Sequence, residues 1–122
     1  MTRVLIFGGR WFADPYVMET EMDKLHRMFN FSAVIEGDAR GADRLGGQWA
    51  RKRGIPLVVC PADWNGPHGK GAGFVRNQSM LDDHKPDIGV AFPGGKGTAD
   101  MARRCEAASV PVFRILEYAH VK

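Results

Sequence analysis

The chain has 122 residues, 44% of them hydrophobic and 25% charged, which fits one domain over residues 1–122 and leaves little length for a second. Its 17 basic and 14 acidic side chains leave a formal net charge of +3, too mild for the dense basic stripe or tail of a typical nucleic-acid binder. No apolar run approaches the roughly 20 residues that cross a bilayer, and the apolar start Val4-Leu5-Ile6-Phe7 is of strand length rather than a leader.

Taken in chain order, short apolar runs alternate with amphipathic segments. Val4 to Phe7 reads as a buried strand closed by Gly8-Gly9. Asp14 then supplies an N-cap and Pro15 the first helical position, and Val17, Met18, Met22, Leu25, Met28 and Phe29 recur at helical spacing. Ala33 to Ile35 is a second strand, ending at Glu36-Gly37. A helix from about Gly41 buries Ala42, Leu45, Trp49 and Ala50, stops at Gly54, and carries Arg51-Lys52-Arg53 where cations suit the negative helix end. Pro56 to Cys60 is the third strand. The segment PADWNGPHGKG, residues 61–71, has no periodicity and is the longest break. A third helix spans about Ala72 to Asp83 and cannot pass Pro86. Ile88 to Phe92, a helix from roughly Thr98 to Ala108, and Pro111 to Leu116 complete the order.

Strands separated by helices run parallel, with both sheet faces covered. The expected class is therefore α/β: a Rossmann-like three-layer sandwich on a parallel sheet of about five strands. In such sheets ligands bind beyond the carboxyl ends of the strands, so the segments just after them matter most. Three of these segments are glycine-rich: GGRWF after the first strand, EGDARGAD after the second, and PGGKGTAD after the fourth. Glycine turns feeding helix N-termini aim several backbone N–H groups at one spot, the makings of an anion site. Thr98 is expected to add a hydroxyl at the N-cap of the fourth helix, and Arg10 a fork of donors. Trp11 is either a lid on the ligand or a hydrophobic plug.

Other chemistries lack their residues. There is no Walker loop and no G-x-G-x-x-G fingerprint, so hydride transfer and Walker-type hydrolysis are disfavoured. His26, His68, His84 and His120 share no metal-ligand spacing with Cys60 or Cys105. Ser79 and Ser109 have no nucleophile elbow around them. The methionines fall mostly at core spacing, and Trp49 reads as core. Two distant thiols without a C-x-x-C pattern suit a reducing, cytoplasmic setting. No metal and no cofactor is expected.

The motifs Gly8-Gly9-Arg10-Trp11-Phe12, Gly37 to Asp43, Pro61 to Trp64, Ala72 to Asn77 and Pro93 to Thr98 together resemble the SLOG superfamily, which includes the LOG phosphoribohydrolases and the DprA proteins. Across nearly its full length the chain is most similar to the small YspA-like branch. That resemblance implies a Rossmann-like fold and a nucleotide or nucleotide-derived ligand, such as a nucleoside monophosphate, NAD or an ADP-ribose-like compound. In LOG enzymes the PGG-x-GT loop cradles a phosphate, and an arginine and a following glutamate help to cleave base from ribose 5-phosphate. Arg76 matches that arginine, whereas Met101 stands at the glutamate's position. A thioether cannot act as a general base, so Asp100, Asp63, Asp38 or Glu36 replaces it, or the ligand is bound intact.

The resulting candidates are Asp63 and Arg76 for catalysis. For ligand and phosphate binding they are Gly8, Gly9, Arg10, Gly37, Asp38, Arg40, Gly41, Asp43, Trp64, Asn77, Gly94, Gly95, Gly97 and Thr98. If the protein is an enzyme, it is a nucleotide N-glycosidase of the phosphoribohydrolase kind. The alternatives are a sensor or sequestering module for a nucleotide signal and, by analogy with DprA, binding of single-stranded nucleic acid, for which +3 is thin support. The LOG resemblance also implies a homo-oligomer, a dimer or higher.

Overall fold

A computed structural model of the chain describes residues 1–116. Its elements are β1 (Thr2–Phe7), α1 (Pro15–Phe29), β2 (Phe31–Glu36), α2 (Ala42–Arg53), β3 (Leu57–Val59), α3 (Ala72–His84), β4 (Ile88–Ala91), α4 (Lys96–Ala107) and β5 (Val112–Arg114), with one turn of 3₁₀ helix at Gly69–Gly71. All strand pairings are parallel, in the order β3-β2-β1-β4-β5. The fold is the expected α/β, Rossmann-like three-layer sandwich.

The period of two along β1 divides the core. Val4 and Ile6 face one side, packing with Met18 and Met22 of α1 and Trp49 of α2. Leu5 and Phe7 face the other, packing with Met80 of α3 and with Met101 and Cys105 of α4. A strand buried on both faces has no polar side to show, hence the unbroken apolar run. The outer strands β3 and β5 are short and only partly buried, and each ends exposed, at Val59 and Arg114. The sequence predicts slightly wider bounds for both, and the flanking residues do still bond to the sheet: Pro56 O accepts from Val34 N, Cys60 N donates to Glu36 O, Pro111 O accepts from Gly89 N and Ile115 N donates to Ala91 O, each at 2.8 Å.

Local signals act as expected in α1, where Asp14 Oδ1 accepts the Val17 N–H at 3.1 Å and Pro15 opens the helix. Asp23 on α1 then pins α2: Trp49 Nε1 donates to its Oδ1 at 2.8 Å and Arg53 Nη2 to its Oδ2 at 2.6 Å. Two expectations are corrected. Met28 is 66% exposed, because it lies at the rim of the apolar face in the last turn, while Phe29 packs against the core. Thr98 is not the N-cap of α4: the helix begins at Lys96 with Gly95 as its cap, placing Thr98 inside the first turn. His120 lies outside the described residues. Among those described, no helix is long and apolar enough to cross a membrane.

The connection through α3 carries the chain from β3, at one edge, to β4 on the far side of β1. Strand order therefore reverses between β1 and β4, and the loops leaving these two strands part there.

Candidate functional site

At that reversal the loops after β1, β2 and β4 are knitted backbone to backbone. Gly9 N donates to Pro93 O at 2.9 Å, while Gly9 O accepts from Ala42 N at 3.2 Å and Phe12 N at 3.3 Å. A side chain on Gly9 would sit 2.8 Å from Gly94 Cα, and one on Gly94 would sit 2.6 Å from Gly9 N. These two glycines are thus required by the approach of loop to loop, before any ligand is considered. Phe12 anchors the β1 loop on Phe92 at 5.1 Å between ring centroids. Its neighbour Trp11 turns outward, 84% exposed, with the Arg40 guanidinium 4.7 Å from its ring. Trp11 is no plug.

Around these loops opens a cleft of about 1040 Å³. Of the sequence-predicted residues, Gly8, Gly9, Arg10, Asp43, Trp64, Arg76, Asn77, Gly94, Gly95, Gly97 and Thr98 line it, and Met101 forms part of its wall. Helix α4 points its first turn into this cleft with no side-chain cap and no acidic residue in that turn. Among the described residues, a side chain on Gly95 or Gly97 would meet nothing within 4 Å. Unlike Gly9 and Gly94, these two glycines serve no packing contact with the described residues.

Behind the cleft runs a polar strut between α3 and α4. Arg76 Nε donates to Asn77 Oδ1 at 3.1 Å, Asn77 Nδ2 to Asp100 Oδ2 at 3.0 Å, and Arg104 Nε to the same Asp100 oxygen at 2.8 Å. Asn77 Nδ2 also reaches Gly97 O at 3.5 Å, at the start of α4. Arg76 Nη1 donates to Gly37 O and to Cys60 O, so the guanidinium also clasps the ends of β2 and β3. Burial pushes the Asp100 carboxyl up, but the bonds from Arg104 and Asn77 outweigh it and hold the group below the usual range. Asp100 is a fixed anion in this strut and does not line the cleft.

The other acids sort themselves by position. Asp63 is exposed beside its own turn, where Gly66 N donates to Asp63 O at 3.1 Å, and it lines neither cleft. Glu36 is buried below the β2–α2 loop, where Oε1 accepts the Asp38 N–H. Burial, with Asp43 and Asp38 nearby, raises its carboxyl to about 7. Asp43 is buried yet lines the cleft, its Oδ2 accepting the Ala39 N–H at 3.3 Å. Burial raises this carboxyl to about 6, with the positive charge of Arg76 acting against the shift. A carboxyl beside a cationic arginine in a cleft, titrating near neutrality, can hold or move a proton. Asp43 is among the ligand contacts that the sequence predicts. Its position in GAD, at the mouth of a helix after a strand, was the available signal.

A second, smaller cleft of about 480 Å³ lies on the β2 side. Arg10, Gly37, Asp38, Arg40, Arg44, Trp64 and Arg76 are among its walls. Arg10, Ala39, Trp64 and Arg76 line both clefts, so the two meet there. The Arg10 guanidinium lies 5.7 Å from the Trp64 ring at that junction. Gly41 takes φ 92° at the entry to α2 and lines neither cleft. Among the described residues no group of three or more His, Cys, Asp or Glu is placed to hold a metal ion. Burial raises both thiols, that of Cys105 to about 11, so neither is an activated nucleophile.

Comparison with known proteins gives the chain a family. Residues 2–66, which carry the β1 and β2 loops and the PADW segment, match the YAcAr family, the YspA, cpYpsA-related SLOG family. The chain is also 38% identical over 121 residues to the Gene 61 protein of Mycobacterium phage D29, covering 93% of this chain and 95% of that relative. With more than half its length matched and a relative of this similarity along almost all of it, the chain belongs to the YspA, cpYpsA-related SLOG family.

Proposed function

We propose that the protein binds a nucleotide or nucleotide-derived ligand in the larger cleft, with a phosphate on the first turn of α4. The observation that carries this reading is the α4 N-terminus itself. Its amides open into the cleft with no side-chain cap, and Gly97 stands in the first turn although a side chain there would meet none of the described residues within 4 Å. Glycine within a helix costs about 1 kcal/mol relative to alanine, and close approach of an anion to the backbone accounts for that cost. Arg10 supplies charge, Trp64 an aromatic surface beside it, and membership of a SLOG family points to a nucleotide-related ligand.

The test is a thermal-shift screen of mononucleotides, NAD, ADP-ribose and cyclic nucleotides, with affinities then measured on the Gly97→Ala variant. A ligand at 100 times its Kd stabilises the fold by about 2.7 kcal/mol, a readily visible shift. Gly97→Ala is expected to leave stability unchanged or raise it by up to about 1 kcal/mol, while weakening the phosphate ligand at least about tenfold. Unchanged affinity in this variant refutes the placement of the phosphate.

A second reading, cleavage of the N-glycosidic bond, is favoured by Asp43 beside Arg76 in the cleft. With Met101 at the position of the LOG glutamate, Asp43 is the acid we assign to the proton transfer. Incubating each hit and separating the products decides it. Release of free base by the wild type, lost in Asp43→Asn with ligand binding retained, establishes an enzyme. A ligand recovered intact leaves a sensor or sequestering module.

A further inference from the structure

We propose that the two clefts form one composite site for a ligand with two anionic groups separated by a nucleoside, the class of linear and cyclic dinucleotides. This rests on the nucleotide reading above and adds a second anion subsite on the β2 side.

Three observations carry it. The smaller cleft brings together Arg10, Arg40, Arg44 and Arg76 against one carboxylate, Asp38. Asp38 is taken by Arg44, whose Nε lies 3.3 Å from Oδ1, and Arg76 stands beside Asp43 and clasps Gly37 O and Cys60 O, which leaves Arg10 and Arg40 in excess. Among the described residues neither Arg10 nor Arg40 forms an ion pair with a carboxylate. Each is held instead against an indole, Arg10 at Trp64 and Arg40 at Trp11. A guanidinium laid on an aromatic face is positioned by the ring while its in-plane N–H fork stays available to a phosphate. Finally, the clefts meet across Arg10 and Trp64, so a base or ribose can cross the indole with an anion on either side. Typical small-ligand pockets hold about 300–1,000 Å³. The larger cleft alone, at about 1040 Å³, reaches the top of that range. The joined space suits something longer than a mononucleotide.

A nucleic-acid strand is the macromolecular alternative, and a net charge of +3 is thin support for it. The observations therefore favour a small two-phosphate ligand.

Isothermal titration of AMP, of the phosphorylated adenylyl dinucleotide pApA and of a longer oligoadenylate tests the proposal on wild type, Arg40→Gln and Gly97→Ala. Arg40 is exposed and lines only the smaller cleft, so its replacement leaves the fold intact. The wild type is expected to bind pApA at least about tenfold more tightly than AMP, the worth of one charged contact. Arg40→Gln should abolish that gain with little change for AMP, and Gly97→Ala should weaken both. Equal affinity for AMP and pApA in the wild type, or a gain that survives Arg40→Gln, overturns the second subsite alone. Affinity that climbs further with the longer strand and falls steeply with salt overturns it in favour of strand binding. If neither AMP nor pApA binds, the dinucleotide proposal falls, and the nucleotide reading falls with it only when the thermal-shift screen above also finds no ligand.

Discussion

Replacing Gly41 by alanine is expected to destabilise the fold by about 3 kcal/mol or more, enough to move a urea midpoint by about 2 M at a slope of about 1.5 kcal/mol per M. Gly41 has φ 92° and ψ −127°, outside the left-handed helical region that other residues can enter. Its added side chain would strike Gly9 O and sit 2.7 Å from the carbonyl carbon and oxygen of Arg10. Gly9 O cannot yield, since it already accepts from Ala42 N and Phe12 N and joins the β1 loop to the start of α2. The natural comparison is Gly54, which ends α2 at φ 69° with nothing within 4 Å of an added side chain. Two other helices end on non-glycine residues in that region, Asn30 at φ 53° and Lys85 at φ 49°. Gly54→Asn should therefore cost less than about 1 kcal/mol. Equilibrium unfolding of both variants by circular dichroism checks the contrast. Equal, small losses would mean that the loops are not locked together as described and that the cleft has no rigid floor.

The same contrast explains which parts of the site could be read from the sequence. Glycine-rich turns after strands were legible as a group, because strand, turn and helix each leave a local pattern. Their division of labour was not. Gly9 and Gly94 meet each other across 85 positions of chain, whereas Gly97 meets open space, and only the folded arrangement separates the two roles. The start of α4 was placed late for a related reason. Gly95 caps it without a side chain, so Thr98 was the first residue with a recognisable capping group. Asp14-Pro15, carrying its signal in its own side chains, located α1 to the residue. Among the acids, sequence favours Asp63 because it adjoins Trp64, yet burial decides which carboxyl is perturbed, and burial is a property of the packed chain. Asp43 and Arg76 come together only when α3 crosses the sheet to lie against the end of β2. The joining of the two clefts at Arg10, Ala39 and Trp64 draws on three separate loops and leaves no trace in any one of them.

The buried Glu36 makes stability depend on pH in an unusual direction. Its carboxyl ionises near 4.5 in the unfolded chain and is raised to about 7 in the fold, chiefly by burial. Between those values the unfolded chain has released the proton and the folded chain keeps it, so stability falls as pH rises through that window and levels off above it. A shift of this size corresponds to about 3 kcal/mol. Asp43, raised from 3.8 to about 6, acts in the same direction at lower pH. Glu36→Gln removes the ionisation and keeps an oxygen to accept the Asp38 N–H, the contact that holds Asp38 at φ 59° beneath the loop carrying Arg40. The variant is therefore expected to be more stable than the wild type at pH 8 by about 2 kcal/mol, allowing for the weaker neutral hydrogen bond, with the difference vanishing near pH 5. Urea unfolding of both proteins at pH 5, 6, 7 and 8 measures this directly. Parallel curves would mean that Glu36 reaches solvent when charged. A variant destabilised at every pH would mean that its ionised carboxylate, held by the Asp38 amide, is what keeps the β2 loop in place.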